Sequence, residues 1–333
     1  MNDAALRVAV IQGGPSSEAA VSRVSAAAVA QALRDAGHDV ASFELDDSLA
    51  LRLDPRGTDV VFPVLHGPLG EDGCAQGLFE VLGLPYVGSG VLASALAASK
   101  PHAKAQFRQA GLPVAEQALV RAGEELEAAA RRVREQLGLA VVVKPGSGGS
   151  AIGVTRVGEQ DADLALVQAF AHALTFDELV LVERFVKGLE VTCGVLENDS
   201  GVAEALPPTL ISAQAADWYD FRSRYGTRGS THQCPAPFPE PLRMRIQSVA
   251  VQAHRALGAR DLSRVDFVVA ERDPLEPVTL LEVNTLPGMT ATSLFPEAAN
   301  VAGIPFVELC DRLARRAHAR PARVARPVLS MPE

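Results

Sequence analysis

The chain has 333 residues, 48% of them hydrophobic and 21% charged, with a formal net charge of −9. This is the composition of a folded globular protein, not a disordered one, and its length suits roughly two or three domains. The acidic balance argues against nonspecific nucleic-acid binding, no apolar run is long enough to span a membrane, and Met1 to Arg7 lacks the basic-then-apolar order of a signal peptide.

The first predicted elements alternate. An apolar strand, Arg7 to Ile11, runs into Gly13-Gly14-Pro15-Ser16-Ser17-Glu18. Ser17 is placed as the N-cap of an Ala/Val-rich helix that continues to Asp35 and stops at Gly37. Asp39 to Glu44 and Asp59 to Leu65 read as the next strands, so a parallel sheet with covering helices is expected. Gly67 to Gly77 and Tyr86 to Gly90 read as glycine-rich loops closing an N-terminal α/β domain, residues 1–98.

A second, α+β unit is expected over residues 99–187. It holds a helix at His102 to Gln109, a strand at Glu116 to Val120 and a charged helix at Glu124 to Leu137. Strands Ala140 to Lys144 and Ile152 to Val157 flank a glycine-rich loop, and a helix at Asp161 to Ala173 leads to strand Leu179 to Phe185. The third unit, 188–316, has a strand at Glu190 to Leu196, a long irregular region from Leu206 to Glu240 and a helix at Leu242 to Leu257. A hairpin and a helix at Phe306 to Arg316 complete it. Residues 317–333 alternate Pro, Ala and Arg and read as a loose tail. Cys74, Cys193, Cys234 and Cys310 are scattered, which fits buried thiols in a reducing cytosol better than a disulfide framework or a zinc site.

The hairpin carries the sharpest chemical signal. Val265 to Ala270 and Val278 to Asn284 are strand-like, with turn residues between them. Folded antiparallel, they bring Asp266 opposite the Glu282 to Asn284 end, and Glu282 and Asn284, two apart, share a strand face. Two carboxylates and one amide oxygen suit Mg²⁺, which takes oxygen ligands at about 2.1 Å. The alternative is a set of polar residues on a solvated face; the apolar neighbours Leu280, Leu281 and Val283, expected to be buried, count against it.

Lysine usage gives a second signal. The 31 basic residues include only four lysines, Lys100, Lys104, Lys144 and Lys187, and a compact ammonium against a phosphate is work that arginine does differently. Lys187 also reads as an ordinary surface residue. Lys144-Pro145-Gly146-Ser147-Gly148-Gly149-Ser150 lies between strands, so it is not a P-loop. Read alone the loop is a hairpin turn; with Lys144 before it, it becomes a phosphate-covering loop. Downstream, Leu181 to Glu190 forms a connector whose backbone suits an adenine edge and whose Glu190 suits ribose hydroxyls.

Several motifs in order complete the pattern: Gly13 to Glu18 with Val21-Ser22, Leu65-His66-Gly67 through Gly70-Glu71-Asp72-Gly73 to Gln76-Gly77, Pro85 to Gly90, Trp218 to Tyr225, and Glu282 to Thr290. From Arg7 to Arg316 the chain resembles the ATP-grasp superfamily and, within it, the D-alanine–D-alanine ligases. The resemblance implies a three-domain α/β ATP-grasp architecture with an N-terminal parallel-sheet domain. It also implies an ATP-driven ligation, in which ATP phosphorylates one D-alanine carboxylate and the amine of a second D-alanine attacks the acyl phosphate. Two Mg²⁺ ions, with Mn²⁺ able to substitute, fall to Asp266, Glu282 and Asn284, Glu282 bridging them. Lys100, Lys144, Glu183, Glu190 and Arg224 fall to ATP. Arg264 and the N–H of Gly288 match the groups that stabilise the acyl phosphate and the tetrahedral intermediate. Glu18 matches the carboxylate for the first D-alanine's ammonium, and its position at a helix start also allows a purely structural role. Ser293 and the N–H of Leu294 match the site for the second carboxylate. Glu18, Ser150 and Tyr225 match a hydrogen-bonded latch on the mobile loop. His66 reads equally as a substrate neighbour and as a structural histidine.

The chain departs from the pattern at Ala19-Ala20, Ala98-Ser99 and Ser147-Gly148, and at Arg224, where a lysine is common; these bear on loop closure and nucleotide affinity. Arg224-Tyr225 stand where lactate-preferring ligases commonly carry a histidine, and His232 lies outside that matched position, so D-alanine is the expected second substrate. The resemblance further implies a homodimer in the bacterial cytoplasm serving peptidoglycan synthesis. Competing readings are a ligase making D-alanyl-D-lactate or D-alanyl-D-serine, and a two-lobed binding protein without catalysis.

Overall fold

The computed structural model describes residues 4–213, 230–270 and 278–320. Three sheets organise them. In the first, β1 (Arg7–Gln12) lies between β2 (Asp39–Glu44) and β3 (Val60–Pro63), all parallel. Val8, Ala9, Val10 and Ile11 are consecutive and all buried, as a parallel strand covered on both faces requires. Helix α1 (Ala19–Asp35) lays Ala26, Val29, Ala30 and Leu33 on this sheet, one stripe at helical spacing. It starts at Ala19, so Glu18 and not Ser17 stands at the cap, and no side chain caps the helix there. The Glu18 carboxylate is engaged elsewhere, accepting from the Ser150 hydroxyl.

Three further helices follow: α2 (Leu49–Arg52), α3 (Cys74–Leu82) and α4 (Val91–Ala98). The expected loop at Gly67 to Gly77 therefore ends inside a helix. Gly77 within α3 and the run of α4, apolar but for Ser94, leave little amphipathic period to read.

The second sheet has the order β4-β7-β5-β6, all antiparallel. After α5 (Lys100–Gln109) come β4 (Gln117–Arg121), α6 (Leu126–Leu137), β5 (Val141–Pro145), β6 (Thr155–Val157), α7 (Asp163–Ala173) and β7 (Leu179–Arg184). Alternation along the strands sorts their faces. Val141, Val143, Val180 and Val182 join Val133 and Phe170 under the helices, which turns Val142, Lys144, Leu181 and Glu183 to the opposite face. The strand expected from Ile152 shrinks to Thr155–Val157, because Gly153 sits at φ 71°, outside extended backbone, and Ile152 and Val154 bond back to Gly149 and Ala151 in turns.

The third sheet runs β11-β10-β8-β12-β13 with β9 on β8. Its strands are β8 (Leu189–Glu197), β9 (Ala203–Ala205), β10 (Thr209–Ala213), β11 (Ser230–Gln233), β12 (Leu262–Val269) and β13 (Val278–Asn284). The region expected to be irregular thus supplies β10 and β11, short segments whose pairing partners lie outside their own local run. Helix α8 (Glu240–Ala256) covers one face through Ile246, Val249, Ala250 and Ala253 against Val191, Val265, Phe267 and Leu280. Helices α9 (Leu294–Val301) and α10 (Phe306–Ala319) follow, and Leu309 and Leu313 of α10 return to pack with Val29 and Leu33 of α1. The segment expected as a tail is ordered at its start: α10 runs through Ala319, and Arg320 pairs with the buried Asp261 and donates to Tyr86 O at 3.0 Å. No helix among the described residues is long and apolar enough to cross a membrane.

Candidate active site

The helix-free face of the second sheet looks across a cavity of about 420 Å³ at β12 and β13. Val142, Lys144 and Glu183 line one wall, Val268, Thr279 and Glu282 the other, and the connector from Phe185 to Glu190 closes one end. Gly188 is needed in that connector, because a Cβ there would collide with the carbonyl oxygen of Val269. Lys187 is exposed at the wall, so its reading as a surface residue and its place beside the cavity both hold.

Lys144 Nζ lies 2.7 Å from Glu183 Oε2, and Glu183 is 2% exposed. Burial alone would raise the Glu183 carboxyl, but Lys104 and Lys144 overrule it and hold it at about 2. Burial likewise works to lower Lys144, and Glu183 outweighs it, so the ammonium is raised. Lys104, singled out only as a lysine, lies 2.5 Å from Glu183 Oε1. It stands four residues from Lys100 on α5, the spacing that puts two side chains on one helix face. Lys100 donates to Gly148 O, and its own N–H bonds Gly146 O at 2.8 Å, so the start of α5 is tied to the glycine-rich loop.

In the hairpin, Asp266 pairs with Glu282 and Arg264 with Asn284, which places all four on one face as the spacing predicts. A bulge between Asp266 and Phe267 shifts the register, so that Leu280 faces the core while Leu281, expected to be buried, lines the cavity beside Glu282. Arg264 holds Asp266 in a two-pronged contact, Nε to Oδ1 at 2.9 Å and Nη2 to Oδ2 at 2.7 Å, and Thr192 Oγ1 donates to Oδ1 at 2.7 Å. Asn284 Oδ1 accepts from the N–H of Leu286 at 2.9 Å. The Glu282 side chain makes no hydrogen bond or ion pair among the described residues, and it lines this cavity and two neighbouring ones of about 270 and 620 Å³. A hard all-oxygen set that includes a carboxylate not held by a hydrogen bond or ion pair among the described residues fits Mg²⁺. Two carboxylates and an amide fall short of a closed cage of acidic and imidazole ligands, and no such cage occurs among the described residues.

A second cavity of about 270 Å³ adjoins the first and gathers Glu18, His66, Arg264, Gly288, Ser293 and Leu294. Ser150 Oγ donates to Glu18 Oε1 at 2.5 Å, joining the glycine-rich loop to the start of α1. Ser293 precedes α9; its Oγ accepts from the N–H of Thr290 at 3.1 Å and bonds Thr290 Oγ1 at 2.7 Å. His66 is 9% exposed and its Nε2 has no partner among the described residues. Burial lowers its pKa, Glu18 working against and Arg264 with that shift. Tyr225 and Arg224 lie outside the described residues. His232, although outside the matched loop position, lines this cavity and bonds Glu297 at 2.9 Å.

Glu71, within the Gly70-Glu71-Asp72-Gly73 motif, also lies on this cavity wall. Burial first, then Glu18 and Glu282, raise its carboxyl to about 8, against the Gly67 amide and Lys100. A raised carboxyl contributes its full stability below the unfolded value and loses it as pH climbs through the folded one, here from about 4.5 to about 8. Glu71→Gln removes the titration. Its unfolding temperature relative to wild type, both ligand-free, should therefore be several degrees more favourable at about pH 9 than at about pH 5. An equal difference at the two pH values would contradict the assignment.

A family model described as D-ala D-ala ligase C-terminus matches residues 106–315, and one described as D-ala D-ala ligase N-terminus matches 50–89. The chain is 43% identical over 318 residues to a D-alanine–D-alanine ligase of Desulforamulus reducens, covering 94% of this chain and 99% of that protein. It is 44% identical over 313 residues to that of Trichlorobacter lovleyi, covering 92% and 94%. Among solved structures, the D-alanine–D-alanine ligase of Bacillus anthracis complexed with ATP superimposes with a TM-score of 0.79 at 30% identity, covering 94% of this chain and 97% of that one. The Coxiella burnetii enzyme gives 0.80 at 26% identity, covering 94% of each.

Proposed function

Because the chain belongs to the D-alanine–D-alanine ligase family, and is an ATP-dependent ligase joining two D-alanine molecules, we propose a division of labour among its residues. The observation that carries it is the meeting of the two cavities at Glu282, with Lys144 on one side and Arg264 on the other. ATP occupies the 420 Å³ cavity, its phosphates toward Lys100 and Lys144 and its nucleoside toward Glu183 and Glu190, with Arg224 on the covering loop. Asp266, Glu282 and Asn284 hold two Mg²⁺ ions, or Mn²⁺ in their place, which neutralise the triphosphate when bound.

The smaller cavity takes the amino acids. Glu18 holds the ammonium of the first D-alanine beside His66, which leaves its carboxylate facing the nucleotide. That carboxylate attacks the terminal phosphorus, ADP departs, and D-alanyl phosphate remains. Ser293 and the N–H of Leu294 hold the carboxylate of the second D-alanine. Its amine, once deprotonated, attacks the acyl carbon; the carbon–oxygen bond to phosphate breaks and inorganic phosphate leaves. Arg264 and the N–H of Gly288 stabilise the oxyanion between these events. The same reading makes the enzyme a cytoplasmic homodimer supplying peptidoglycan synthesis.

Phosphate release from ATP with and without D-alanine tests the reaction, and product analysis with D-alanine plus excess D-lactate tests the second substrate. Mainly D-alanyl-D-alanine is expected near neutral pH; a product dominated by D-alanyl-D-lactate would overturn that preference. Release that ignores D-alanine would overturn the ligation.

The Ser150–Glu18 bond supports a closing loop that shields the acyl phosphate, with Tyr225 as its third member. A hydrogen bond to a charged group contributes about 1.5–3 kcal/mol, so Ser150→Ala should lower kcat/KM about tenfold or more. In a Glu18→Gln background the same change should cost much less. Equal costs in both backgrounds would argue against a shared latch.

A further inference from the structure

Lys104 has no part in the reaction as described, yet its side chain is only 1% exposed. It lines none of the three cavities of the site. Its Nζ lies 2.5 Å from Glu183 Oε1 and donates to the carbonyl oxygen of Leu280 at 3.1 Å. The other oxygen of Glu183 takes Lys144 at 2.7 Å. One carboxylate thus sits between two ammonium groups, one walled off and one facing the cavity.

That asymmetry decides what each lysine can do. A phosphate oxygen entering the cavity competes with Glu183 for Lys144. A buried carboxylate stripped of its counter-ion is strongly unfavourable, so a Glu183 with Lys144 as sole partner would retain it. Lys104 changes the balance, because the Leu280 carbonyl and its place within α5 keep it on Glu183 whichever way Lys144 turns. Burial pushes the Lys104 ammonium down, with Glu183 opposing.

We propose that Lys104 is a positioning residue, the standing counter-ion of Glu183 that leaves Lys144 free to be shared with a nucleotide phosphate. This rests on reading the 420 Å³ cavity as the ATP site. It also accounts for a lysine at this point in a chain whose cations are mostly arginines. A guanidinium would bring five donors to a buried place that offers Glu183 Oε1 and one carbonyl.

The test measures ATP affinity by calorimetry on the full-length protein, with KM values beside it. Lys104→Met keeps the length of the side chain and removes its charge. It should weaken ATP binding about tenfold or more and raise KM for ATP in step, while KM for D-alanine stays within about twofold. In a Glu183→Gln background, adding Lys104→Met should change ATP affinity by less than about threefold, since the lysine acts only through that carboxylate. ATP binding unchanged in Lys104→Met, or the same loss with and without Glu183→Gln, would overturn the proposal. Should Lys104→Met fail to fold alone, the Glu183→Gln comparison decides: with Glu183 neutral, burial lets the Lys104 amine shed its proton, and the double variant holds neither charge. Equal affinity there supports the proposal, and a further tenfold loss sinks it. Wild-type protein that binds no ATP would remove the cavity assignment and the proposal together; wild-type binding with an unmoved Lys104→Met removes the proposal alone.

Discussion

Glu282→Gln should abolish turnover and leave the fold intact. The substitution keeps size and shape while removing one anionic oxygen from the point where all three cavities meet. Charge neutralisation by a metal ion contributes several kcal/mol to phosphoryl transfer, so a fall of about 10³-fold or more in kcat is expected. Folding should not suffer, because the Glu282 side chain makes no hydrogen bond or ion pair among the described residues. Its charge helps to raise the Glu71 carboxyl and also supports the Lys100 ammonium, so the two effects oppose each other and the ligand-free variant should unfold near the wild-type temperature. The measurements are phosphate release across a Mg²⁺ titration and thermal unfolding without ligands. Near-normal turnover at subsaturating Mg²⁺ would remove Glu282 from the metal site.

Arg264→Lys is expected to be nearly as damaging, for a geometric reason. The guanidinium grips both oxygens of Asp266, at 2.9 and 2.7 Å, in a fork that an ammonium cannot reproduce. Lysine keeps the charge but loses the planar second donor, both for orienting Asp266 and for the oxyanion of the ligation step. Loss of one preorganised donor in such a site costs about 10²–10³-fold in kcat. The side chains of Arg264 and Asp266 are 12% and 14% exposed, so the pair is largely shielded from solvent and a retained cation should keep the protein folded. A kcat within about threefold of wild type, in protein that unfolds normally, would show that charge alone suffices.

Local signals carried much of this molecule. The apolar run of β1, the stripe of α1 and the alternation of β12 and β13 are set by neighbouring residues. They could therefore be read from the chain, as could the pairing of Asp266 with Glu282. The order of the short motifs along the chain did the rest for the family. No such pattern marked α3, α4, β10 or β11. Gly77 interrupts one helix, the other is apolar but for Ser94, and the two strands owe their existence to partners outside their own local run.

By itself, then, the sequence determined the kind of chemistry and which face of the hairpin bears it, because side-chain period in a strand is a local property. Tertiary structure alone decided which charges meet. Lys104 of α5 and Lys144 of β5 converge on Glu183 of β7, Ser150 reaches Glu18 across 132 positions, and Glu71 is half-buried near the carboxylates of Glu18 and Glu282. Burial and counter-ion both depend on packing between distant segments, and it is these that set whether a side chain keeps its charge.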